Sequence, residues 1–284
     1  SDTPIPGYIL HDIKIALRQR EDDIFLKNNK IYKNIRRGNC ITEFGSQFKI
    51  GRKGIIKFFD YPSEFTSTHI REKILDPVKS AIKNGETVRV YITEKANGEN
   101  CQISYVNDVE GWIVGSKNVS ILVRGKEDFE FYKNLEMQDR YTYALEFADI
   151  WFDIIEGIRS KGMYEQFVNE VDGYTLCGEN VGMAHQHIKL YTSNNIVFFG
   201  MVNNNSTDLC LPMNQVTDLL AKYGLSVVPY ELSHTMSDID EFLKYMKDTY
   251  MNVLLADVEQ KGEGCVAYIA SLSEGEEKII SIGK

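Results

Sequence analysis

Helical and extended patterns follow one another irregularly along this chain, and their order predicts an α+β protein with antiparallel sheets flanked by helices. Three observations carry the expectation. Val88, Val90 and Ile92 alternate with polar neighbours, the period of a half-buried strand. Residues 70–84 instead space their apolar positions as a helix does, and the pattern stops at Asn84-Gly85. Extended segments come before, between and after the helices, without the regular βαβ alternation that marks a parallel sheet.

Taken in order, residues 9–28 have helical spacing with mixed charge. From Asn39 to Phe59, short apolar pieces alternate with Gly45, Gly51 and Gly54, which reads as strands and turns. After the strand around Val88–Ile92, Lys95-Ala96-Asn97-Gly98 interrupts the pattern. Gln102–Val106, Trp112–Ser116 and Ser120–Val123 then continue as short strands. Residues 127–171 are mostly helical with a break at Lys161-Gly162. The acids at 127–139 read as a solvated face, and Trp151, Phe152, Ile154 and Ile155 as helix core. Tyr174–Glu179 and Ile196–Val202 are strands, and residues 211–223 a helix that Gly224 can cap. Ser237, with Asp240 three residues on, opens a further helix reaching about Ala256. Cys265–Ala270 and Lys278–Ile282 close the chain as strands.

The chain has 284 residues, 43% apolar and 26% charged, so it can bury a core as one large or two modest domains. No apolar run approaches the roughly 20 residues of a membrane helix, so no membrane partner is expected. Five scattered cysteines without a CxxC pair read as reduced thiols, which points to a cytoplasmic or nuclear setting. The net charge of −9 speaks at first against a polyanion partner. The charge is unevenly distributed, however. Residues 1–57 hold twelve Lys and Arg against six acids, leaving the remaining 227 residues at −15. A basic first fifth marks either an anion-facing surface or a solvated helix face.

The segment that carries chemistry is Glu94-Lys95-Ala96-Asn97-Gly98-Glu99-Asn100. A lysine at a strand end before a glycine turn sets an amine at the mouth of a sheet. Such an amine attacks only after losing its proton, which burial or nearby cations promote. On spacing alone Lys95 is either a hairpin lysine or a nucleophile, and Lys261-Gly-Glu-Gly264 repeats the pattern. His185-x-His187 has strand-like spacing, but no Cys or acidic partner has metal-site spacing, so it reads as structural. Cys177 and Cys265 have no histidine partner in sequence and read as packed strand residues.

The run EKANGEN followed by CQISYV resembles motif I of the covalent nucleotidyltransferases, among them RNA ligases, DNA ligases and mRNA capping enzymes. Its Lys-x-Asn-Gly form is similar to the ligase domain of fungal tRNA ligases. The flanking Glu94 and Asn100 look like phage-type RNA ligases. The other motifs follow in order. Gly115-Ser116-Lys117-Asn118 resembles motif Ia, with Lys117 where some members have Arg. Thr175-Leu-Cys-Gly-Glu179-Asn resembles motif III, whose carboxylate binds the ribose. Asn195-Ile-Val-Phe-Phe199 resembles motif IIIa, whose aromatic stacks on the purine; strand alternation favours Phe199 over Phe198. Glu263-Gly264-Cys265-Val266 resembles motif IV, whose carboxylate helps hold the catalytic metal. Lys284 is expected as the motif V lysine, with Lys278 as the fallback. Ile35-Arg36-Arg37-Gly38 and Ile56-Lys57-Phe58-Phe59 resemble segments in which the Arg and Lys, here Arg37 and Lys57, contact the β- and γ-phosphates.

The resemblance implies a ligase adenylylation fold with the nucleotide site between antiparallel sheets. It implies a basic region, 1–86, packed on a nucleotidyltransferase core, 87–284, with the C-terminal substrate domain absent. Lys95 would be the catalytic nucleophile; Glu94, Asn100, Lys117, Glu179, Phe199, Lys284, Lys278, Arg37 and Lys57 would bind nucleotide; Glu263 would hold the metal. The implied activity is an ATP-dependent RNA ligase in RNA repair or tRNA splicing, working through lysyl-AMP with Mg²⁺, or Mn²⁺ in its place. Its partner is RNA with 5′-phosphate and 3′-hydroxyl ends, and the chain is expected to act as a monomer. Two alternatives stand beside it: a GTP-dependent mRNA capping guanylyltransferase and a non-catalytic nucleotide- or RNA-binding module.

Overall fold

Two sheets pack face to face, each backed by helices, and a third small sheet lies against one of them. The computed structural model describes residues 1–14, 24, 27–62, 66–182, 195–253, 256 and 262–284. The strands run in chain order as β1 (Tyr8–Asp12), β2 (Cys40–Phe44), β3 (Gln47–Arg52), β4 (Thr87–Glu94), β5 (Glu99–Val106), β6 (Gly111–Gly115) and β7 (Ser120–Val123). They continue as β8 (Tyr174–Asn180), β9 (Ile196–Asn203), β10 (Ser226–Val227), β11 (Tyr230–Leu232), β12 (Cys265–Ser273) and β13 (Glu276–Gly283).

The six-stranded sheet has the order β10-β9-β8-β5-β6-β7, and the four-stranded one β11-β4-β12-β13. All pairs are antiparallel except β9 with β10, which the helix Met213–Lys222 connects as a crossover. Trp151, Phe147 and Ile155 of the helix Thr142–Ser160 and Phe167 of Tyr164–Val171 cluster with Trp112, Ile103 and Phe198 on the outer face of the larger sheet. Ile74 and Val78 of the helix Thr68–Lys83, with Phe242, cover Val88, Val90 and Ile269 of the smaller one. Between the sheets lie Ile55, Ile56, Tyr91, Cys177, Phe199, Val266 and Tyr268. The small sheet β1-β2-β3 rests Leu10 and Cys40 on Ile113 and Leu122. Among the described residues no helix is long and apolar enough to cross a membrane.

Three local expectations are corrected. Residues 9–12 belong to β1 rather than to a helix, because Tyr8 and Leu10 are buried while Ile9 and His11 face outward, a period of two. The helix expected from Ser237 is capped by Asp238, whose carboxylate accepts from the Asp240 and Glu241 amides. Asp128 is not part of a solvated face: it is buried and accepts from the Arg124 amide and guanidinium. The middle of the 9–28 segment, His185, His187 and Lys261 lie outside the described residues.

Candidate active site

The path of β4 into β5 makes the site. β4 belongs to the smaller sheet and β5 to the larger, so Lys95-Ala96-Asn97-Gly98 is the bridge between them. Gly98 is needed at that bridge, since a Cβ there would sit 2.2 Å from the Asn180 carbonyl oxygen. Pairing of Glu94 with Cys265 in the antiparallel register sets Lys95 beside Gly264, and the Lys95 amide donates to the Gly264 carbonyl at 2.8 Å. The next residue back is Glu263, and its carboxylate accepts from Lys95 Nζ. Two segments 168 residues apart in sequence thus meet at one amine and one carboxylate.

The larger sheet adds a second row. Asn100 on β5 pairs directly with Glu179 on β8, so both side chains leave the sheet on the face away from Cys101 and Ile103. Gln102 follows on the same face, opposite Gly115 and next to the Ser116-Lys117-Asn118 turn. Together these elements wall a cavity of about 440 Å³, of a size with small-ligand sites.

The cavity has an apolar and a polar part. Phe199, Phe58, Ile56, Val266 and Tyr268 form the apolar part, with Phe58 edge-on to both Phe199 (6.2 Å) and Tyr268 (6.1 Å). β9 carries an irregularity here. Cys177 pairs with Gly200 but Gly178 with Phe198, which leaves Phe199 as the extra residue of a bulge. Phe198 therefore turns to the core, 6.1 Å from Trp151, and Phe199 to the cavity. The Tyr268 hydroxyl donates to the Phe199 carbonyl at 2.9 Å and pins the bulge from the opposite sheet. Burial holds that phenol well above its ordinary pKa, so it stays a donor.

Arg37, Glu94, Lys95, Asn100, Lys117, Glu179 and Lys284 all line the cavity. Glu263 touches it through Lys95. Lys57 lies between two lining residues, with its Nζ 5.9 Å from the centre of the Phe59 ring. Lys278 does not line the cavity; its Nζ is 2.6 Å from Asp208 on the surface. Arg36 and Arg37, adjacent in sequence, part company. The buried Arg36 donates to the carbonyls of Thr207, Asp208 and Leu209, whereas Arg37 faces the cavity. Phe58, Gln102, Arg52 and Tyr268 went unassigned in the sequence; Phe58 and Gln102 stood inside quoted runs, without a role.

Glu179 shows the electrostatics of the site. Burial, reinforced by Glu263 and Glu99, pushes its carboxyl up to about 8, although Lys95 and Lys117 pull the other way. The group binds its proton more tightly folded than unfolded. Its share of stability is thus present below about pH 4.5 and declines as the pH rises toward 8. Glu179→Gln is expected to flatten that decline in a series of melting curves from pH 5 to 8.5. Parallel curves for the two proteins would contradict the assignment.

The profile of the RNA ligase family matches residues 88–280. An archaeal ATP-dependent RNA ligase is 16% identical with a TM-score of 0.48, and the alignment covers 83% of this chain and 49% of that one. A putative ATP-dependent DNA ligase from Aquifex aeolicus is 15% identical with a TM-score of 0.43, over 84% and 50% of the two chains. A point variant of Naegleria gruberi RNA ligase with ATP and Mn is 12% identical with a TM-score of 0.42, over 85% and 62%. The chain thus spans about half the length of the archaeal and Aquifex ligases. No curated protein matches it.

Proposed function

The chain belongs to the RNA ligase family, and on that premise we propose that it carries out the nucleotidyl-transfer step of an ATP-dependent RNA ligase through a lysyl-AMP intermediate. The observation that supports this most is the single cavity lined by Lys95, Lys117, Glu179, Phe199 and Lys284, drawn from five separate stretches of the chain. Phe199 would stack on the adenine with Phe58 packed edge-on beside it, Glu179 would accept from the ribose hydroxyls, and Arg37, Lys117 and Lys284 would neutralise the phosphates. Lys57 would add a contact to the β- and γ-phosphates. Lys95 Nζ would attack the α-phosphorus: a P–N bond forms, the P–O bond to pyrophosphate breaks, and the amine loses its proton. The Glu263 carboxylate, already in contact with Nζ, is the acceptor within reach.

Among the described residues no cluster of three His, Cys, Asp or Glu side chains can hold a metal. The carboxylate of Glu263, in contact with Lys95, is a hard oxygen donor of the kind Mg²⁺ takes one or two of, its shell being completed by phosphate oxygens and water. Glu263 would hold the ion, with Mn²⁺ as a substitute. When bound, the ion supplies charge neutralisation at the phosphates. The AMP would then pass to an RNA 5′-phosphate and a 3′-hydroxyl would be sealed to it, in RNA repair or splicing, in the cytoplasm or nucleus. Residues 1–86 would serve the core by bringing Arg37 and Lys57 to it, and the chain would act as a monomer.

Parallel incubations with α-labelled ATP and α-labelled GTP test the reading. Label is expected on the protein from ATP, at least about tenfold over GTP. A preference for GTP would turn the reading to a capping guanylyltransferase, and no label from either would leave a binding module.

A further inference from the structure

Gln102 is fully buried in the cavity wall, and nothing in the motif pattern assigns it a part. Its Nε2 lies 2.9 Å from the Arg37 carbonyl oxygen and 2.9 Å from Asn100 Oδ1. The chemistry of these partners fixes all the orientations. A backbone carbonyl only accepts, so the Gln102 atom facing Arg37 must be the amide nitrogen. That nitrogen has two hydrogens, and the second points at Asn100. The Asn100 atom facing it must then be the oxygen, which leaves Asn100 Nδ2, a donor, for the cavity. The Arg37 carbonyl also accepts from the Ile55 amide at 3.2 Å, so its peptide is held on two sides.

The surroundings hold Gln102 itself in place. The Gln102 main-chain carbonyl accepts from the buried Arg52 guanidinium at 3.1 Å, and the same guanidinium donates to the main-chain carbonyls of Gly38 (2.9 Å) and Ser116 (2.7 Å). Arg52 thus joins the Arg37-Gly38 segment, β5 and the Ser116-Lys117 turn. On the other side the Gln102 amide presses on Gly38, where a Cβ would come within 2.1 Å of Oε1. Gly38 also has φ +90°, so only glycine leaves room for this amide at low strain.

We propose that Gln102 is a positioning residue for the polyphosphate end of the nucleotide, turning the Asn100 amide donor into the cavity and fixing the Arg37 backbone. The inference rests on the nucleotidyl-transfer reading above and concerns two of its cavity residues. It sets Gln102 apart from the adenine side, where Phe199 and Phe58 are held by other contacts.

The test compares binding of α,β-methylene-ATP, which cannot transfer its nucleotidyl group, with binding of AMP. Gln102→Met keeps the volume and removes both donors. Gln102→Glu keeps the shape but sets carboxylate oxygens against the Arg37 carbonyl and Asn100 Oδ1. Each variant is expected to weaken α,β-methylene-ATP about tenfold while AMP changes less than about twofold, as two lost hydrogen bonds to positioned groups imply. Asn100→Ala added to Gln102→Met is expected to cost little more, since one network carries both effects. Equal weakening of both nucleotides, in either variant that melts cooperatively, would reduce Gln102 to a packing residue and overturn the proposal. So would unchanged affinity for both, or full additivity with Asn100→Ala. If the unaltered protein binds neither nucleotide, the functional reading falls first and takes this one with it.

Discussion

Lys95→Ala is expected to take up no label from α-labelled ATP above background, and Lys95→Arg is expected to do the same. The two variants separate chemistry from charge. Alanine removes the amine and leaves Glu263 without the cation it touches. Arginine restores a cation beside Glu263, but its guanidinium does not give up a proton and so does not attack phosphorus. If Lys95 acted only as a cation for the phosphates, arginine would retain much of the labelling. If it forms the covalent bond, both variants are silent. Neither substitution should unfold the protein, because the Lys95 and Glu263 side chains are 29% and 28% exposed and a partly solvated pair contributes about 1 kcal/mol or less. The measurement is therefore labelling together with a melting curve, and a labelled Lys95→Ala protein that melts normally would remove the central claim.

Much of this site was legible because its chemistry sits at strand ends and turns, where sequence is punctuated by glycine. Lys95 follows the end of β4, Glu179 is the penultimate residue of β8 and Glu263 lies two before β12, while Gly98, Gly178 and Gly264 stand close by at turns and close approaches. Spacing alone left Lys95 as either a hairpin lysine or a nucleophile; it was the resemblance of these segments, in their order, to nucleotidyltransferase motifs that proposed the residues for one site. What stayed hidden depends on which distant strand lies opposite. Tyr268 looks like one more strand tyrosine until β12 is seen to face β9, where its hydroxyl meets the Phe199 carbonyl. Arg52 and Gln102 act on carbonyl groups 14 to 65 residues away, and carbonyls leave no trace in a sequence. The choice of Phe199 over Phe198 rested on simple alternation. The structure reaches the same residue by another route, through a bulge that interrupts the alternation.

The same distinction explains the charge pattern. Among the described residues of the basic first 57 there are two kinds of arginine that a count of charge cannot separate. Arg36 and Arg52 are 1% and 0% exposed and spend their donors on backbone carbonyls. Arg37 reaches the cavity. A count of positive charge therefore overstates what is available to an anion, since fully buried guanidiniums act as staples.

Glu263→Gln is expected to lower the rate of labelling by at least about a hundredfold, the scale on which losing one preorganised polar group slows a reaction with developing charge. Glutamine keeps the size of the side chain and an oxygen that can accept from Lys95 Nζ. It loses the negative charge, and with it both parts proposed for Glu263, acceptor for the amine's proton and hard ligand for a divalent ion. Those two losses differ in how they respond to metal. If Glu263 serves chiefly the ion, raising Mg²⁺ or substituting Mn²⁺ recovers part of the rate, and the concentration for half-maximal labelling shifts upward. If it serves chiefly the proton, the metal titration keeps its midpoint and the rate instead rises with pH, as hydroxide takes over the acceptor's part. Glu263→Asp separates the cases further, since it keeps the charge but draws it back from Nζ by one methylene. Labelling of Glu263→Gln at the original rate, at low metal and neutral pH, would show that the contact with Lys95 is only a surface ion pair. The carboxylate that β4 and β12 bring to Lys95 would then have no part in the labelling.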